Sequence, residues 1–130
     1  MDFKNYYYQN LIKPDLMPEA WVFTTVWTIL YILMAISLII ILTKKNKYKK
    51  IALSLFFTQI LVNLSWPFVF FNFNEIFFAL IILIALIILV ILTTIFFFRI
   101  SKIAGFLLVP YILWLFCAFY LNYQIIILNP

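Results

Sequence analysis

From Ile76 to Phe98 the chain reads IFFALIILIALIILVILTTIFFF, in which Thr93 and Thr94 are the only polar side chains. A helix needs about 20 such residues to cross a hydrocarbon layer roughly 30 Å thick. Apolar stretches of similar character precede and follow this one. With 68% hydrophobic and 10% charged residues, the 130-residue chain also lacks the polar side chains needed to cover a water-facing surface. The outer surface therefore faces lipid. A transmembrane barrel would show segments of about 10 residues alternating in polarity. Here Gly105 is the sole glycine and no Asn-Gly or Asp-Gly turn occurs. Helices close their backbone hydrogen bonds within each segment, which a bilayer demands. The fold class that follows is an all-α integral membrane protein, a transmembrane bundle of four helices forming a single domain over residues 1–130.

Residues 1–18 mix Tyr6, Tyr7 and Tyr8 with charges and prolines and have no apolar core. They read as an interfacial loop with an aromatic anchor rather than a signal peptide. Helices are expected at about 19–43, 50–73, 75–98 and 102–128. The third is apolar all round, so it is expected to have the largest lipid-facing share. Lys44, Lys45, Lys47, Lys49 and Lys50 follow the first helix, and Arg99 and Lys102 follow the third. Lys and Arg in short connections remain cytoplasmic, which places connections 44–50 and 99–102 on the cytoplasmic side and both termini opposite. The lysine cluster serves topology, and a lipid headgroup site would need no further motif.

Three helices each carry one aromatic and polar stripe. Phe23, Trp27 and Tyr31 recur every four residues, Gln59, Asn63, Trp66 and Phe70 at four, three and four, and Pro110, Trp114, Ala118 and Asn122 every four. Amides are costly against lipid tails, so Gln59, Asn63 and Asn122 are expected to point inward and bond across helices. Such stripes build either a packed core or a ligand cavity. Trp27, Trp66 and Trp114 lie inside their segments, and each brings an N–H that needs a partner. Three indoles with an amide suit a planar aromatic ligand. Pro110 leaves the carbonyl of Phe106 without its helical donor, consistent with a bend or an opening. Cys117 reads as a small packing residue, and a single cysteine allows no intrachain disulfide. The chain has no histidine, the commonest metal and haem ligand. No metal site, required cofactor or nucleic-acid partner is expected.

The motifs VWxxLYxxM at Val26–Met34, QxxxNxxW at Gln59–Trp66 and AGxLLxPYxxWxxxAxxLN at Ala104–Asn122 resemble the TspO/MBR family (translocator protein, peripheral benzodiazepine receptor). Tyr7-Tyr8 with Leu11, Lys13, Pro14 and Pro18 is similar to that family's aromatic loop. The resemblance covers nearly the whole chain in order. It implies a five-helix bundle, often dimeric, of which four helices are present here, the one before the aromatic loop being absent. It also implies a bacterial cytoplasmic membrane location and binding of porphyrins such as protoporphyrin IX. The ligand-binding residues implied are Phe23, Trp27, Asn63, Trp66, Phe78, Trp114, Ala118 and Leu121. A homodimer fits the family, and the small residues Ser54 and Thr58 permit close helix contact. No Lys or Arg follows Tyr123, so the sterol-type pattern is not formed.

The function expected is binding of a hydrophobic planar ligand, a tetrapyrrole, as sensor, carrier or scavenger. One alternative is light-dependent porphyrin degradation, for which the resemblance implies Trp27 and Trp114. Conventional acid–base catalysis is not expected, because Asp2, Asp15, Glu19 and Glu75 all lie at or beyond helix ends. A second alternative is a small-molecule translocator or transport regulator. Proton-coupled export would require an ionisable group within the membrane, which the helices lack.

Overall fold

The computed structural model describes residues 20–67, 69 and 76–128. The expected loop 1–18, Glu19, Phe70 and the turn before the third helix lie outside them. Four helices make up the described chain: α1 Ala20–Leu42, α2 Lys49–Pro67, α3 Ile76–Ile100 and α4 Lys102–Leu128. No strand occurs among the described residues. Three helices are long and apolar enough to span a bilayer, at Trp21–Leu42, Phe77–Ile100 and Lys102–Leu128. α2 is shorter and more polar, because Gln59 and Asn63 interrupt its apolar run. The protein is an integral membrane helical bundle.

Local chemistry sets the helix ends. α1 stops where the lysines begin. There the Thr43 hydroxyl donates to the Ile40 carbonyl (2.7 Å) and the Lys49 ammonium to the Leu42 carbonyl (2.9 Å). The Ile40 carbonyl also accepts from the Thr43 amide (3.2 Å), while the lysine caps the Leu42 carbonyl at the end of the helix. The turn leading into α2 begins at Asn46, whose side-chain oxygen accepts from the Tyr48 amide (2.9 Å) and whose carbonyl accepts from the Lys49 amide (3.1 Å). The α3–α4 corner turns on the single residue Ser101, which accepts from the Ala104 amide through its side chain (3.4 Å) and from the Gly105 amide through its carbonyl (3.1 Å).

α3 packs along both α2 and α4, and α4 packs along α1, whereas α1 and α2 meet at only a few points. Chain neighbours α2, α3 and α4 therefore form a continuous wall, and α1 is attached mainly through α4. Leu83, Leu86, Val90 and Phe97 of α3 fill the centre with Met34 of α1, Phe56 of α2 and Leu108 and Leu115 of α4. Phe56 stacks on Phe97 at 5.7 Å. The Ser37 hydroxyl donates to the Ala104 carbonyl (2.8 Å), pinning α1 to α4 near the basic end.

Three expectations are corrected. α3 does not have the largest lipid-facing share: 44% of its most apolar stretch is buried, against 22% for α1 and 28% for α4. A helix apolar on every side carries no polar face to mark its orientation, and here that uniformity suits the position with neighbours on two sides. Cys117 is exposed rather than packed inside. The α4 stripe also does not stay on one face. Pro110 is exposed, Trp114 and Ala118 are half-buried, and Asn122 is buried. Each four-residue step overshoots a full turn by about 40°, so three steps carry the stripe about a third of the way round the helix.

At Gly105, α4 leaves no room for a side chain against α3. A Cβ there would fall on the ring of Phe98, which is held edge-on against Phe106 at 4.9 Å. Gly105→Val is expected to force the corner apart and destabilise the bundle by about 1–3 kcal/mol, the usual cost of overpacking. Thermal unfolding in detergent, with Phe98→Ala restoring part of the loss in the double variant, checks this.

Candidate functional site

The inner faces of α1, α2 and α4 converge on a mixed aromatic and polar cluster. Trp27 of α1 touches Tyr31 one turn along (5.7 Å), and across the interface it meets the edges of Tyr111 (6.1 Å) and Trp114 (6.5 Å) on α4. Phe23, one turn before Trp27, packs edge-on against Trp114 at 5.6 Å. These edge-to-face contacts set the positive rim of one ring against the negative face of another and hold each ring in a defined orientation.

A chain of hydrogen bonds runs beneath the rings. Tyr31 donates its hydroxyl proton to Asn63 Oδ1 across the sparse α1–α2 boundary. Asn63 Nδ2 donates to the Tyr111 hydroxyl (2.8 Å), which donates onward to Gln59 Oε1 (2.7 Å). Gln59 Nε2 ends the chain 3.8 Å from Met34 Sδ, a weak acceptor. Gln59, Asn63 and Tyr111 are all buried. Three helices are thus tied by four side chains whose polar atoms answer one another. Nearer the far end of α4, the Trp66 indole donates to Asn122 Oδ1 (3.3 Å), joining α2 to α4 again.

Against this pattern Trp114 stands out. Among the described residues, its Nε1 is the buried side-chain polar atom that has no hydrogen-bond partner. The same indole lines a groove of about 370 Å³ between α1 and α4, formed by Val26, Ile29, Leu30, Pro110, Leu113, Trp114 and Cys117. Ile29 and Leu113 are exposed, so the groove opens sideways toward lipid. Trp114 is therefore the partition between the lateral groove and the aromatic cluster.

Phe23, Trp27 and Trp114 come together as one group of rings. Asn63 reaches the cluster from α2 through Tyr31 and Tyr111 and is engaged at each end of its carboxamide, whereas Trp66 bonds Asn122 further along α4. Ala118 packs against the core and Leu121 is buried beside Asn122. Phe78 is 53% exposed on α3 and is not brought to the group. Tyr111, which organises the network, escaped the sequence reading. Its signal was present: Tyr111, Leu115, Ala118 and Asn122 repeat the four, three, four spacing of Gln59, Asn63, Trp66 and Phe70. That spacing averages close to 3.6 and stays on one face, as the every-four stripe does not.

Removing the Tyr111 hydroxyl strands two buried amides. Tyr111→Phe is expected to cost about 1–3 kcal/mol, the penalty for unsatisfied buried polar groups. The double variant Tyr111→Phe/Gln59→Leu should recover part of it, measured by unfolding in detergent.

The model of the TspO/MBR family matches residues 2–128. A tryptophan-rich protein TspO from Chlorobaculum tepidum is 40% identical over 97% of this chain and 81% of its own length. A tryptophan-rich sensory protein from Cereibacter sphaeroides is 33% identical over 95% of this chain and 77% of its own. The human translocator protein is 30% identical over 90% and 71% respectively. Trp27, Asn63, Trp66 and Trp114, the residues that carry the motifs, are also those the fold gathers on the inner faces of α1, α2 and α4. The chain belongs to the TspO/MBR family.

Proposed function

We propose that this membrane protein binds a flat, hydrophobic tetrapyrrole, with protoporphyrin IX as the representative, and acts as a sensor, carrier or scavenger of it. The observation that carries this reading is the Trp114 indole. An N–H buried in an apolar setting costs free energy until it finds an acceptor, and a ligand carbonyl, carboxyl or ring nitrogen supplies one. Phe23 and Trp27 add ring surfaces beside that donor, the combination of apolar walls and few polar groups typical of ligand sites. The relatives' names, sensory protein and translocator protein, agree with a ligand-responsive or ligand-moving role. The two basic connections lie at one end of the bundle, where Tyr48 touches Arg99, and this supports a cytoplasmic orientation of that end.

Recognition in this reading rests on stacking and hydrogen bonding, and the chain has no histidine, the commonest axial ligand of haem. Metal-free protoporphyrin is then preferred over haem. Titration of the purified chain, followed by quenching of tryptophan emission, is expected to give tighter binding of protoporphyrin than of haem. Trp114→Phe, which keeps a ring and removes the N–H, should weaken protoporphyrin binding about 5–10-fold, the worth of one buried hydrogen bond. Unchanged affinity in that variant, or a haem spectrum showing axial coordination, contradicts the reading.

A second reading, photo-oxidative porphyrin degradation, is favoured by the contact of two indoles, Trp27 and Trp114, at 6.5 Å. An indole oxidised by an excited ligand has a neighbouring indole to share the electron deficit. Bleaching of bound protoporphyrin under illumination should slow in Trp114→Phe at equal occupancy. Identical bleaching removes Trp114 from such a reaction.

A further inference from the structure

We propose that the basic end of the bundle holds a specific site for the phosphate of an anionic phospholipid, centred on Tyr48. Tyr48 lies in the α1–α2 connection, and its ring rests on Phe96 in the last turns of α3 at 5.7 Å. Two cations far apart in sequence, Lys47 of the α1–α2 connection and Arg99 of the last turn of α3, approach that ring: Lys47 Nζ lies 5.2 Å and Arg99 Cζ 5.8 Å from its centroid. Lys44, Lys45, Lys50 and Lys102 are exposed in the same two connections and at the start of the helices that follow them. Lys49 is occupied in closing α1 through the Leu42 carbonyl.

Nothing acidic answers this charge among the described residues. All four carboxylates of the chain, Asp2, Asp15, Glu19 and Glu75, fall outside them, and Glu19 and Glu75 adjoin the opposite ends of α1 and α3. Membrane orientation needs only the presence of Lys and Arg in the connections. It does not need two of them gathered at one aromatic ring, where like charges repel and the ring quadrupole offsets only part of the cost. An anion bound by both would offset that repulsion. The depth is that of a phosphodiester: Phe96 is half-buried in the bundle while Lys47 and Arg99 are exposed just beyond it. Arg99 supplies a planar fork matched to two phosphate oxygens, and Lys47 a mobile point charge. Acyl chains attached to that phosphate would lie along the exposed apolar surface of α3, which a free phosphate cannot use.

Native mass spectrometry of the full chain in detergent, titrated with phosphatidylglycerol and phosphatidylcholine, tests the site. Phosphatidylglycerol should bind more tightly, and removing Lys47 and Arg99 (Lys47→Gln/Arg99→Gln) should weaken it at least about fivefold, while Lys44→Gln/Lys45→Gln, with the same charge removed, changes it less than about twofold. Millimolar inorganic phosphate should not displace the lipid. Equal losses in the two double variants would reduce the effect to charge count and overturn the proposal. So would the absence of a preference over phosphatidylcholine, or displacement by phosphate. If the first double variant does not fold, Arg99→Lys decides: it keeps the charge, so weakened binding supports the site and unchanged binding overturns it.

Discussion

A polar side chain inside a bilayer has no water to turn to, so each one must be answered by another part of the protein. The Tyr111 hydroxyl is where this constraint is met most fully, accepting from Asn63 and donating to Gln59. The rest of the arrangement depends on it. α1 and α2 scarcely approach through their backbones, and the bond from Tyr31 to Asn63 carries their association into the same network. Because the Tyr111 ring also abuts Trp27, the hydrogen bonds that join the helices fix the position of the aromatic wall.

The apolar wall and the polar network thus have separate duties. Van der Waals packing along α3 provides most of the contact, with Leu83, Leu86, Val90 and Phe97 buried in a row. That packing is permissive about register, since one branched aliphatic residue resembles the next. The amides and hydroxyls are not, because a one-turn slip would leave several of them unpaired. Within this closed accounting the unanswered Trp114 N–H is a departure, and it sits beside the groove between α1 and α4. The fold satisfies Gln59, Asn63, Trp66 and Asn122 internally and leaves one buried indole donor without a partner next to other rings, which is the feature the proposed ligand site rests on.

Much of this was legible in the residues alone. Apolar runs bounded by Lys44–Lys50 and Arg99–Lys102 marked the helices, and the cost of a buried amide correctly turned Gln59, Asn63 and Asn122 inward. What was not legible has physical causes. In α3, uniform apolarity gives no signal of which side meets protein, so its central place could not be seen. On α4, a stripe drawn every four residues drifts off the buried face, which took in exposed Pro110 and passed over Tyr111. Phe78 was carried by family likeness rather than by any pattern of its own, and it lies exposed on α3. Hydrogen-bond partners between helices distant in sequence depend on rotamers and axial offset, neither of which composition encodes.

The central claim is that the Trp114 N–H is the donor left for a ligand while the other polar groups hold the bundle. Proton–nitrogen correlation spectra of the indoles of the ¹⁵N-labelled protein test it directly, since each N–H reports its own hydrogen bond. The Trp114 resonance should lie at the position of an unbonded indole in the free protein and move downfield when protoporphyrin IX is added, while that of Trp66, already bonded to Asn122, stays nearly fixed. A Trp114 signal that is already shifted downfield without ligand, or that does not respond to it, would contradict the account.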